Sequence, residues 1–182
     1  MQRSLFGTLV LLAGLLPWLG TTPESVAQSK PKLGGPTVEL DGMKSQVFDF
    51  FKPQKADSPL LYKFQLPKDL KSDQDMADLT ISEVTGKPDD VIAGWKGKWT
   101  PPKNFTIDKV SRTETFKVGD ATVTRFTVQG AYDKNGKKFD DFRMVGYVFA
   151  GKNKEYGIEL IGPFKTVGLH MPNMDAWVKA FK

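Results

Sequence analysis

The chain has 182 residues, 26 Lys and Arg against 21 Asp and Glu for a formal net charge of +5, a single histidine and no cysteine. Absence of cysteine excludes disulfides, a thiolate nucleophile and cysteine-ligated zinc or iron–sulfur centres. Lysines and acids are interleaved without a block of one sign, which reads as a solvated mixed surface, and the net charge biases association without choosing a partner.

The chain opens with Arg3, an apolar run from Leu5 to Leu19, and small residues ending in Ser25-Val26-Ala27. That order predicts a signal peptide over residues 1–27, cleaved before Gln28. The run is shorter than the ~20 apolar residues that span a bilayer, and Pro17 and two glycines interrupt it, so no stable membrane insertion is expected after cleavage. The net charge survives cleavage, because the segment removes one cation (Arg3) and one anion (Glu24). Residues 28–37, QSKPKLGGPT, read as a flexible tether. One domain, residues 38–182, follows, and the localisation expected is export to the periplasm or the outside of the cell.

Val38 to Phe51 predicts a single strand-like segment ending near Pro53. Leu60, Tyr62, Phe64 and Leu66 alternate with Leu61, Lys63 and Gln65, the period of a strand with one buried face. Lys68 to Asp78 is predicted as a loop, and Leu79 to about Val84 as another strand. Pro88 suits the first position of a helix and Asp89 and Asp90 its positive end. Val91, Ile92, Trp95 and Trp99 then share one helical face, and Pro101-Pro102 stops the helix. That spacing makes the tryptophans core residues rather than a ligand platform.

Val110 to Val118 and Ala121 to Tyr132, separated by Gly119-Asp120, predict a hairpin whose first member is an edge strand. Phe126, Val128 and Tyr132 fall on one face of the second member, opposite Arg125, Thr127 and Gln129. Asp133-Lys134-Asn135-Gly136 is a turn leading through a charged loop into Phe142 to Ala150, apolar on both faces and so a central, covered strand. Gly151 to Lys154 turns the chain back into Glu155 to Gly162, with Tyr156, Ile158 and Leu160 on one face. Met174, Trp177, Val178 and Phe181 predict a last helix starting near Pro172, with Thr166 to Met171 as its lead-in, since an interior proline costs about 3 kcal/mol.

For chemistry the residues offer little. His170 has no cysteine to activate, no second histidine with which to share a metal, and no G-x-S-x-G elbow, so a hydrolase built on it is the weakest reading. The Asp133–Gly136 segment with Asp140-Asp141 invites a calcium loop, but its glycine comes two residues early and no glutamate follows at the needed spacing; a hairpin turn accounts for it. No paired carboxylates, phosphate loop or dinucleotide fingerprint stands out. No catalytic residue, metal or cofactor is assigned, and export argues against a nucleic-acid partner.

Three stretches carry a resemblance: "SPLLYKFQLP", "LTISEVTGKPDDVIAGWKGKWTPP" and "DFRMVGYVFAGKNKEYGIELIGPFKTV" with its closing motif Ile161 to Val167, followed by an amphipathic helix. From about Ser58 onward the chain resembles small exported bacterial proteins of unknown function with a PsbP-like fold. The resemblance implies an antiparallel sheet flanked by helices and an accessory or docking role, and it transfers no functional residue.

The expected fold class is therefore α+β, an antiparallel sheet of about six to seven strands flanked by two main helices in an α/β/α sandwich. The expected function is non-enzymatic binding of a protein or envelope component. Binding residues concentrate on positioned loops, which singles out Lys134, Lys137, Lys138, Asp140 and Asp141 after one strand and Lys152 and Lys154 after another. The alternative is a small-ligand or glycan binder with a pocket between helix and sheet, which requires Trp95 or Trp99 to be exposed.

Overall fold

A computed structural model describes residues 32–67 and 75–182. The predicted signal peptide, the first four residues of the tether and most of the predicted Lys68–Asp78 loop lie outside the described residues. Pro31–Lys182 is one compact unit. Its strands are β1 (Leu33–Leu40), β2 (Met43–Phe48), β3 (Lys52–Gln54), β4 (Leu60–Leu66), β5 (Ala77–Val84), β6 (Trp99–Thr100), β7 (Ser111–Val118), β8 (Ala121–Lys134), β9 (Lys137–Ala150) and β10 (Glu155–Pro163). Two α-helices complete it, α1 (Pro88–Lys96) between β5 and β6 and α2 (Phe164–Lys179) after β10.

Eight strands form one antiparallel sheet in the order β3-β4-β5-β10-β9-β8-β6, with β7 also lying along β8. β8 is long enough to hold both neighbours, β7 along Ala121–Val128 and β6 at Ala131 and Tyr132. Strands β1 and β2 form a separate hairpin. The sheet has a larger core on one side, where α2 and the β1–β2 hairpin cover Phe64, Leu79, Val145, Phe149 and Ile158. On the other side α1 covers only Phe126, Val128, Met144 and Val148. Strand β9 supplies both cores from alternate residues, as its two apolar faces require.

Helix α1 is short, and it fits because the sheet has no side chains beneath Trp95. A Cβ at Gly146 would stand 2.7 Å from the Trp95 ring, and one at Gly157 3.4 Å from it. The ring packs 6.2 Å from that of Phe126, so one tryptophan fills the space that several smaller side chains would otherwise share.

The expected fold class is corrected. Strands make up 55% of the structure and helices 19%, so it is a β-rich fold with an eight-stranded sheet, not a balanced α+β sandwich of six to seven strands. The additional strands come from segments whose sequences look like linkers. Leu33 to Thr37, expected in the tether, belongs to β1, and the single segment expected over Val38–Phe51 is folded back by Asp41-Gly42, where both residues have positive φ. Lys137 to Asp141, expected as a loop, begins β9, because Asn135-Gly136 turns the chain in two residues. Trp99 lies on β6 rather than on the helix. The helix closes at Gly97, whose N–H donates to the Ala93 carbonyl, two residues before the tryptophan and well before the double proline.

Helix α2 starts at Phe164 and carries Pro172 in its interior, against the expectation of a start near the proline. Proline there removes one backbone hydrogen bond and crowds the carbonyl four residues earlier, at a cost of about 3 kcal/mol. Pro172 faces solvent, and Val167, Met174, Trp177 and Val178 are all buried on the opposite stripe. Each such side chain contributes about 1.5–3 kcal/mol on burial, which outweighs the local penalty.

Candidate functional site

Strands β8 and β9 outlast their neighbours. The last residue of β9 paired to β10 is Phe142, opposite Pro163, and on the far side β6 reaches β8 only at Ala131 and Tyr132. The Asp133 N–H still donates to the Lys98 carbonyl at 2.9 Å, so residues 134–141 form a projecting arm, closed by the Asn135-Gly136 turn, in which Asp133 Oδ1 accepts the Gly136 N–H at 2.8 Å. At its root the strands slip register between Gly130 and Tyr132, opposite Asp141 at φ 54°.

Aromatic rings stiffen this arm. Trp99 packs on Tyr132 at 5.0 Å, Tyr132 on Phe142 at 6.4 Å and Phe142 on Phe139 at 5.3 Å, and the Lys137 ammonium lies 4.9 Å over the Phe139 ring. Such offset contacts add to the burial of each ring and brace the ribbon without a third strand.

Beneath the arm is a groove of about 350 Å³, lined among others by Asp78, Lys98, Tyr132, Lys134, Phe139 and Glu159. Glu159 points to this side of β10, since Ile158 and Leu160 point to the other. Burial pushes its carboxyl above the usual carboxylate range, opposed by the Lys98 charge and a hydrogen bond from Trp95. Burial likewise raises the Tyr132 phenol, with the nearby carboxylates of Glu159, Asp78 and Asp133 adding to the effect. Lys134 spans the groove to Asp78 at 3.7 Å. The result is a small concave surface with donors and acceptors facing each other and aromatic walls, at the lower end of the size range of ligand sites. A wider hollow of about 580 Å³ lies at the arm's root, floored by Gly130 and Ala131 and walled by Pro101, Lys103, Asp140 and Phe164.

The predicted contact residues fall into two groups. Lys134, Lys137, Lys138, Asp140 and Asp141 share the arm. Lys152 and Lys154 sit at the opposite end of β9, about 45 Å away at 3.3 Å per residue, so one compact partner surface does not include both. Lys154 is paired to Glu83 at 2.5 Å, and the intervening Asn153 is fastened to Asp41, accepting oxygens receiving its backbone and side-chain N–H groups at 2.7 and 3.0 Å. These bonds from Asn153 hold the Asp41 carboxyl below its ordinary range. That turn ties the β1–β2 hairpin to the sheet.

Trp95 and Trp99 are 4% and 6% exposed, so the interface between α1 and the sheet is filled and the exposure required for a pocket there is not met. His170 is 4% exposed, with its ring stacked on Phe50 at 5.2 Å and Nε2 donating to the Pro67 carbonyl at 2.7 Å. Its burial disfavours the protonated form. The ring is engaged in packing α2 against the segment after β2. Among the described residues no group of three His, Cys, Asp or Glu side chains has the arrangement of a metal site, and no helix is long and apolar enough to cross a membrane.

Glu159, Tyr132, Lys98 and Asp78 escaped the sequence reading. The signal for Glu159 was present: it alternates with Ile158 and Leu160 on a strand beside β9, and because β9 is apolar on both faces, the second face of its neighbour is partly covered too. Asp78 was hidden by being assigned to a loop, as its last residue before the expected strand, whereas β5 begins at Ala77.

No family model and no curated protein sequence matches the chain. Among solved structures, the crystal structure of a protein of unknown function from Pseudomonas aeruginosa, PA94, is similar to it at a TM-score of 0.46 and 12% identity, covering 80% of this chain and 95% of that one. A likeness at that level assigns neither a family nor a function.

Proposed function

We propose that the chain is an exported, non-catalytic binding domain that docks a protein or envelope component on its projecting arm and the groove beneath it. The observation that carries this reading is the arm itself, a two-stranded ribbon stiffened by rings and presenting Lys134, Lys137, Lys138, Asp140 and Asp141 to solvent. Exposed polar groups on a rigid support lose little freedom when a partner engages them, which is the economy of preorganised recognition. The engagement of His170 in packing supports a non-catalytic role, and the resemblance of the sequence to small exported bacterial proteins supports export.

Crosslinking capture from an envelope extract of the source organism tests the reading, with Pro31–Lys182 as bait. Reversal of the arm charges in K134E/K137E/K138E is expected to lower capture of a reproducible partner about tenfold or more, the effect of removing several complementary charges. K152E serves as the control at the far end and leaves capture unchanged. Equal capture by the wild type and the arm variant refutes the assignment to the arm.

A further inference from the structure

We propose that the free edge of β9 pairs antiparallel with the same edge of a second copy of this chain, about a two-fold axis at Phe139. This goes beyond the docking role: the same arm charges, Lys137, Lys138, Asp140 and Asp141, here meet a second copy of the chain, and self-association is read without any other partner present.

From Lys137 to Asp141 the backbone of β9 has β8 on one side and no strand on the other, among the described residues. An unpaired strand edge is a template for another strand, and side chains decide whether and in what register one arrives. Here they read Lys137-Lys138-Phe139-Asp140-Asp141, a charge palindrome centred on the phenylalanine. In an antiparallel pair with its axis at Phe139, Lys138 of each copy stands opposite Asp140 of the other, and Lys137 opposite Asp141. Opposite charges facing across strands attract, and symmetry supplies each contact twice.

The same sequence opposes the competing registers. Moving the axis to Lys138 places lysine against lysine, moving it to Asp140 places aspartate against aspartate, and parallel pairing sets every like charge together. The inner two charges are also uncommitted: among the described residues neither Lys138 nor Asp140 makes an ion pair or a side-chain hydrogen bond, whereas Lys137 lies over the Phe139 ring and Asp141 acts on Arg143. Asp140 and Asp141 together face Ala131 in a bulge, with Asp141 at φ 54°, so the regular stretch ends at Asp140 and the Lys137–Asp141 contacts are its outermost. An isologous contact of that length consumes both edges, so it closes at two copies instead of propagating, and its small area makes the dimer weak and concentration-dependent.

Sedimentation velocity of Pro31–Lys182 from micromolar to millimolar concentration tests this. The wild type is expected to pass from monomer to dimer across the range. K137D/K138D and D140K/D141K are each expected to weaken self-association about tenfold or more, because four facing pairs become repulsive. An equimolar mixture of these two variants is expected to associate again, since every pair is then opposite in charge, and the quadruple swap K137D/K138D/D140K/D141K is expected to dimerise within about threefold of the wild type. Circular dichroism establishes that each variant is folded. A wild type that stays monomeric throughout, a dimer indifferent to the charge reversals, or variants that fail to associate when mixed would each overturn the proposal.

Discussion

Gly130 offers the sharpest test of how the arm is joined to the sheet. It has φ 149°, a conformation L side chains rarely adopt, and a Cβ placed on it would stand 2.3 Å from the Thr100 carbonyl oxygen and 3.2 Å from the Thr100 carbonyl carbon. Both contacts are to backbone, so no rotamer relieves them: either β6 moves away or β8 twists. Gly130→Ala therefore combines backbone strain of about 1–3 kcal/mol with overpacking of about 1–3 kcal/mol, for a total of about 4 kcal/mol. Gly136→Ala, in the Asn-Gly turn, is the matched control, with φ 80° and nothing within 4 Å of the added carbon. It carries the left-handed penalty alone, about 1–2 kcal/mol. Urea unfolding followed by far-ultraviolet circular dichroism measures the difference, and at a typical slope of about 2 kcal/mol per molar the G130A midpoint falls by about 2 M, at least twice the fall for G136A. If G130A is no less stable than G136A, the Thr100 carbonyl does not lie against Gly130 as described and the arm's root is not tightly packed.

Two further outcomes are expected. Glu159→Gln should raise stability relative to wild type at neutral pH and lose that advantage in acid: a carboxyl whose folded pKa is raised favours the fold below its unfolded pKa, and that contribution is lost as pH rises through the folded value. Urea midpoints of the two proteins measured from acid to neutral pH check the sign, and a Gln variant destabilised most at neutral pH contradicts it. Asp175→Ala should destabilise by about 3 kcal/mol and Tyr147→Phe by about 1 kcal/mol, because Asp175 Oδ1 accepts both the Tyr147 hydroxyl at 2.6 Å and Arg125 Nε at 2.8 Å. The larger loss reflects a guanidinium side chain only 11% exposed that keeps only its longer contact to Glu114, at 3.7 Å, whereas the phenylalanine leaves the Asp175 ion pair in place; equal midpoints for the two variants would refute this division.

What the sequence revealed and what it concealed divide along physical lines. Alternation identified β4, the two-faced β9 and the buried face of β10, because those patterns record burial directly. The burial of Trp95 and Trp99 was legible from apolar spacing even though Trp99 reaches the same cluster from a strand instead of a helix, since 99 continues the helical period after the helix has ended. β1 and the first residues of β9 were illegible because glycines, prolines and charges there resemble linker composition, and only pairing partners distant in the chain make them strands. Helix α2 absorbs Pro172 by tertiary packing, which local propensity does not contain. Of the candidate site, the arm's charges were visible as residues but not as one surface, because Lys137 to Asp141 had been read as a loop and not as the start of β9. Glu159 needed the strand order before it became a groove residue.

The arm is the end of two strands, β8 and β9, that run on into the sheet and supply residues to the cores on both of its faces. A partner held at the Asn135-Gly136 tip is thus tied, through the bulge at Asp140 and Asp141, by backbone that runs without a linker into the strands carrying the cores of Trp95 and Trp177.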